Sequence, residues 1–243
     1  MFRLFRIFAA IVLVLFVSSC GSRKESAVKT STPPAPPPPQ VKSEVKASAE
    51  EWTSLFDGKT FGKWKPTDFG GASDPRIEDG MIVLPVGVTL SGITHSGEGI
   101  PTINYEIELE AKRIDGSDFF CGLTFPVKDK NASLILGGWG GAVCGISSLD
   151  GEDASSNSTT KAISFESNRW YRVRMRVLEN RMQAWLDDDQ IVDVDTTGKA
   201  IGIRIEVSES CPLGLATYQT TGAFKNIRIR KVDPKEAESK NQP

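Results

Sequence analysis

The stretch Ile103–Ala111 reads INYEIELEA. Ile103, Tyr105, Ile107, Leu109 and Ala111 alternate strictly with Asn104, Glu106, Glu108 and Glu110. Successive side chains of an extended chain point to opposite faces, so this period predicts a strand with one buried face and one wet face. Working outward, Trp170–Val177 (WYRVRMRV) repeats the pattern, with Tyr171, Val173, Met175 and Val177 opposite Arg172, Arg174 and Arg176. That arginine stripe reads as a solvated face, or as one lining the concave side of a sandwich. Ser117–Phe125 follows Asp115-Gly116, which predicts a hairpin turn, and Asp187-Asp188-Asp189 predicts a second between Arg181–Leu186 and Gln190–Val194. Ile201–Val207 and Phe224–Val232 complete the expected strands. Apart from these strands there is no helical period longer than two turns. The fold class is therefore all-β, a sandwich or jelly roll.

The ends of the chain read differently. Arg3 and Arg6 precede an apolar run from Ile7 to Val17, the length of a signal-peptide core and too short to span a bilayer. The run ends in Val17-Ser18-Ser19-Cys20-Gly21, which resembles a bacterial lipobox. The expectation is a signal peptide over 1–19, a mature chain starting at lipidated Cys20, and a membrane-anchored lipoprotein of the cell envelope. Gly21 and Ser22, rather than Asp, follow the cysteine, which points to the outer membrane, facing periplasm or surface. Residues 20–50 carry Pro33-Pro34-Ala35-Pro36-Pro37-Pro38-Pro39 among Ser, Lys and Glu, the composition of a polyproline tether. Residues 233–243 are polar and read as a tail, which leaves 51–232 as the folded domain. A net charge of −2 gives no reason to expect a nucleic-acid partner. Cys121, Cys144 and Cys211 remain after Cys20. One pair could bridge in an oxidising compartment, but Cys121 and Cys144 sit in strand-like runs and read as small buried apolar residues.

Trp52-Thr53-Ser54-Leu55-Phe56-Asp57-Gly58-Lys59-Thr60-Phe61-Gly62-Lys63-Trp64 resembles the entry signature of the 3-keto-disaccharide hydrolase domain family. Ile77-Glu78-Asp79-Gly80-Met81-Ile82, Asn104–Leu109 and Phe224-Lys225-Asn226-Ile227-Arg228-Ile229 are similar to later segments of it, so the resemblance spans Trp52 to Val232. It implies a concanavalin A-like jelly roll and a carbohydrate substrate. The family's arginine-ended Asn-Ser-Gly strand and its Tyr-Glu strand correspond here to GSDFFCGLTFPV and GGWGGAVCGISSLDG, so the family's catalytic residues do not carry across.

The candidate site lies in Leu134–Thr160, LILGGWGGAVCGISSLDGEDASSNSTT. Glycine weakens a strand, so four of them around Trp139 imply a local need for bare backbone. On a continuous strand Gly137 and Gly141 flank Trp139 on its face, leaving the indole clear to stack on a pyranose. Gly138 and Gly140 would let that ligand approach the backbone, and Asn157 would read its hydroxyls. The bland alternative makes Trp139 a core residue and the glycines room for its bulk or for a bend. A phosphate loop is a third and poorer reading, since no Lys-Ser/Thr and no following helix accompany the glycines. Cleavage of a 3-keto-glycoside needs a base near C2 and groups polarising the ketone. Asp150 or Asp153 is the expected base, and Asp118 the second carboxylate. His95, the sole histidine, is either an acid–base group or a surface loop residue. One histidine without a close cysteine pair gives no zinc pattern. Asp150-Gly151-Glu152-Asp153 lacks the spacing of a calcium loop, so no metal ligand is assigned, and a divalent cation such as calcium stays open as cofactor. A non-catalytic carbohydrate-binding module tethered to the membrane is the competing reading.

Overall fold

The computed structural model describes residues 51–235. The signal peptide, Cys20, the proline-rich tether and residues 236–243 lie outside them. In chain order the strands are β1 (Thr53–Ser54), β2 (Trp64–Pro66), β3 (Arg76–Glu78), β4 (Met81–Leu84), β5 (Leu90–His95), β6 (Tyr105–Gly116), β7 (Cys121–Val127) and β8 (Lys130–Gly138). There follow β9 (Val143–Ser147), β10 (Lys161–Ala162), β11 (Tyr171–Val177), β12 (Arg181–Leu186), β13 (Asp189–Asp195), β14 (Leu213–Tyr218) and β15 (Thr220–Lys231). A short 3-10 helix, Ile205–Ser210, precedes β14.

Two antiparallel sheets pack face to face. The first runs β13-β12-β11-β6-β15-β4-β3, with β1 also on β15; the second runs β10-β9-β8-β7-β14-β5-β2. This is the all-β jelly roll expected from the alternation. The apolar face of β6 (Tyr105, Ile107, Leu109, Ala111) enters the core with Leu123 and Phe125 of β7 and Leu134 and Leu136 of β8. Cys121 and Cys144 are buried there as free thiols, and Cys211 is also free. Burial pushes the Cys144 thiol up to about 11 and raises that of Cys121 as well.

The outer face of β6 departs from expectation at Glu106, which is buried as a cross-strand partner, while Glu108 and Glu110 stay partly exposed. Arg176 sits opposite Glu106 on one side and Arg230 on the other. Glu106 is fully buried, accepting from Arg176 Nε at 2.7 Å and Arg230 Nε at 2.8 Å. Arg174 and Arg176 also lie over the Trp185 ring. The arginine stripe is thereby tied into the first sheet.

Three sequence expectations fail locally. Asp115-Gly116 ends β6 but makes no hairpin, because the chain there passes from one sheet to the other. Gly116 has φ of +95° and pairs with Thr220, where β14 gives way to β15 and the chain crosses back. A Cβ on Gly116 would stand 2.5 Å from the Gln219 carbonyl oxygen, so glycine permits the two crossings to touch. Ile201–Val207 is not a strand. Ile201 makes one bridge to Leu149, and the chain then enters the 3-10 helix. Leu134–Gly145 is not one strand but the hairpin β8–β9.

Candidate functional site

Trp139 stands at the tip of that hairpin. The Gly141 N–H donates to the Gly138 carbonyl at 3.1 Å, closing a turn whose central residues are Trp139 (φ +49°) and Gly140 (φ +86°). Positive φ at both positions is the type I′ pattern, whose twist suits a tight hairpin. Positive φ suits Gly140, but for a bulky residue it is an outlier. The indole is 45% exposed, so it is not enclosed between the sheets.

The glycines have a physical reason that the sequence reading missed. Arg113 of β6 lies beneath the turn, 7% exposed, and its Nη2 donates to the carbonyls of Asp118 (3.1 Å), Gly141 (3.2 Å) and Gly137 (3.4 Å). A Cβ on Gly137 would stand 2.6 Å from that Nη2, and one on Gly141 would stand 2.8 Å from the Ser117 carbonyl oxygen. The bare backbone thus accommodates a buried guanidinium. Desolvation lowers the Arg113 pKa.

Asp118 holds the turn from the other side. Its Oδ2 accepts from the Gly140 N–H at 2.9 Å and its Oδ1 from the Phe119 N–H at 2.7 Å. Trp139 and Asp118 both line a cleft of about 630 Å³ on the outer face of the second sheet. Glycines at outward positions of its strands leave room for rings on its floor. A Cβ on Gly92 would meet Phe69 at 2.6 Å, and one on Gly122 would meet Phe119 at 3.0 Å. Phe119 also stacks on Tyr218, with centroids 5.9 Å apart. Ser133 and Ser147 form the polar side of the floor, with Arg204 and Glu206 at the wall. Arg204 donates to Asp153 Oδ2 at 2.5 Å and Glu206 Oε1 at 2.7 Å. That pairing lowers the Glu206 pKa and raises that of Arg204.

The remaining expected site residues fall elsewhere. Asp150 and Asn157 do not line the cleft. Asp150 accepts from the Ala200 N–H at 2.8 Å and from Lys199, which lowers its pKa. Asn157 is used within its own loop, donating to the Ile146 carbonyl at 2.7 Å and accepting from Thr159. Asp153 reaches the cleft only through Arg204, its other oxygen accepting from Ser155 Oγ at 2.7 Å. Asp150 and Asp153 are thus engaged by lysine, arginine and serine. Among the described residues no three His, Cys, Asp or Glu side chains gather as a metal set.

His95 is not a surface residue. It is 2% exposed at the end of β5, edge-on to Trp64 with centroids 5.1 Å apart, and burial with nearby Lys63 lowers its pKa. It borders a second, larger cleft of about 800 Å³ beside Phe61 and Ile100. Trp139, the one tryptophan exposed to solvent among the large exposed apolar residues described, belongs to the first cleft. The floor aromatics, Arg204 and Glu206 escaped sequence reading, although outward glycines on β5 and β7 were a signal for rings above them.

Two antiparallel sheets packed face to face, with a cleft on the outside of one, make this chain an all-β jelly roll. Residues 51–230 match the 3-keto-alpha-glucoside-1,2-lyase-like domain, and the chain belongs to that family. None of the curated proteins matches it. Among solved structures it is similar to a Bacillus subtilis protein of unknown function with a galectin-like fold, at 9% identity and TM-score 0.52, covering 74% of this chain and 94% of that one. It is similar to a Crh5 transglycosylase in complex with NAG, at 9% identity and TM-score 0.50, covering 77% and 86%. The Bacillus subtilis carbohydrate-binding module CBM66 matches at 17% identity and TM-score 0.46, covering 70% and 96%.

Proposed function

We propose that the cleft on the second sheet binds a saccharide and that the protein cleaves 3-keto-glycosides there, as an envelope lipoprotein held through Cys20. The observation that carries this reading is Trp139, held half-exposed beside the cleft on a turn clamped by Asp118 and Arg113. An indole presented in this way offers its face to the C–H side of a pyranose, while polar groups around it read hydroxyls. Family membership supplies the reaction. A ketone at C3 acidifies the C2 proton; a base removes it, the C1–O bond breaks, and the leaving oxygen takes up a proton. The product is a 2-hydroxy-3-keto-glycal, to which water adds if hydrolysis completes. Glu206 is the base in this scheme, because it lines the cleft and its pairing with Arg204 keeps it ionised. Asp118 positions the Trp139 turn, and Asp153 positions Arg204.

A second reading, a non-catalytic binding module, is favoured by one feature. Asp118, Asp153 and Glu206 each have both carboxylate oxygens engaged by donors of the protein. Methyl 3-keto-α-glucoside separates the two readings. Enzymatic cleavage releases methanol with a rise in ultraviolet absorbance from the enone, and Glu206→Gln abolishes the rise while sugar still alters tryptophan fluorescence. A fluorescence response with neither methanol release nor absorbance change in the native protein identifies a binding module. Absence of the fluorescence response and of cleavage alike overturns the carbohydrate assignment. Anchoring has its own test, since Cys20→Ala moves the protein to the soluble fraction, and unchanged membrane retention would overturn it.

A further inference from the structure

Three described serine or threonine hydroxyls are buried without a partner: those of Ser147, Ser210 and Thr217. Ser210 and Thr217 do not line the cleft, and Ser147 does. It is 2% exposed, at the end of β9 directly opposite Ser133 of β8. Ser133 shows what a settled hydroxyl on this floor looks like, because it bonds Thr124 Oγ1 at 3.0 Å. A buried hydroxyl with no partner destabilises a fold, so one retained on the floor of a cleft points to a partner arriving from outside.

The charges nearby restrict that partner. Among the described residues Arg204 is the one cation of the cleft lining, and Asp153 and Glu206 both already engage it. Asp118 adds another carboxylate to the wall. A carboxylate or sulfate on a ligand would face this net negative lining with no free cation to pair with, whereas a neutral hydroxyl can donate to or accept from Ser147 Oγ.

We infer that Ser147 is a specificity-determining residue that reads a neutral hydroxyl of the saccharide, in a cleft whose net negative lining selects uncharged sugars over uronic acids. The inference rests on the saccharide reading of the cleft. It predicts opposite signs for one substitution. In Ser147→Ala the orphaned hydroxyl is gone, so the melting temperature without sugar stays level or rises. Affinity for methyl 3-keto-α-glucoside, read by tryptophan fluorescence, falls about tenfold, equivalent to about 1.4 kcal/mol. Methyl α-glucuronide competes poorly on the native protein. Native affinity in Ser147→Ala, a lowered melting temperature that betrays an internal partner, or equal competition by the glucuronide would each overturn the inference while leaving saccharide binding standing. If the native protein binds none of these sugars, the saccharide reading falls and this inference with it.

Discussion

At the residue scale, the local chemistry turns on the backbone of Trp139. Left-handed φ costs a residue with a Cβ about 1–2 kcal/mol, a cost that Gly lacks. Against that relief, Trp139→Gly adds chain entropy to the unfolded state, about 0.5–1 kcal/mol, and gives up partial burial of the indole. These terms nearly cancel, so urea denaturation should place Trp139→Gly within about 1 kcal/mol of the native protein. A tryptophan packed in a core would instead lose about 3–5 kcal/mol on truncation. Sugar-induced fluorescence change should vanish in the same variant. A large stability loss would return Trp139 to the core, the bland alternative that its sequence context left open.

At the scale of the element, the hairpin β8–β9 shows what was legible and what was not. Alternation in Ile103–Ala111 announced a half-buried strand because a two-residue period has one physical cause. The glycines announced bare backbone correctly, but not its beneficiary. Arg113 is distant in sequence, and nothing local says that its guanidinium will lie beneath Gly137 and Gly141. Asp115-Gly116 failed for a related reason, since a glycine that permits two crossings to touch looks like one that turns a hairpin. Phe69, Phe119 and Tyr218 met only when β5, β7 and β14 became neighbours. The glycines also separate by mechanism. Gly140→Ala has open space and meets only its φ of +86°, costing about 1–2 kcal/mol. Gly137→Ala adds a contact with buried Arg113 and its carbonyl partners, so thermal denaturation should show it as clearly the worse of the two, by about 1–3 kcal/mol. Equal losses would mean that Arg113 can withdraw.

At the scale of the whole molecule, two buried groups on different sheets make stability depend on acid in two stages. His95 sits edge-on to Trp64 at the end of the second sheet, with Lys63 and its partner Glu98 as the charged neighbours. Its folded pKa is lowered, so the unfolded chain takes up a proton first. Stability is then full above about pH 6.5, the ordinary histidine value, and declines as pH falls toward the folded pKa. Glu106 belongs to the first sheet, and Arg176 and Arg230 hold its carboxyl below the ordinary glutamate range despite its burial. Its contribution is present above about pH 4.5 and is lost as pH falls further. Urea midpoints measured from pH 7.5 to pH 3 should therefore fall in two steps. His95→Phe should flatten the step below pH 6.5 and leave the lower one. Glu106→Gln should cost about 3–5 kcal/mol at neutral pH, because the buried Arg176 and the partly exposed Arg230 lose a shared carboxylate partner, and should flatten the lower step instead. A single decline shared by both variants would show that the two sheets do not carry separate proton-linked contacts.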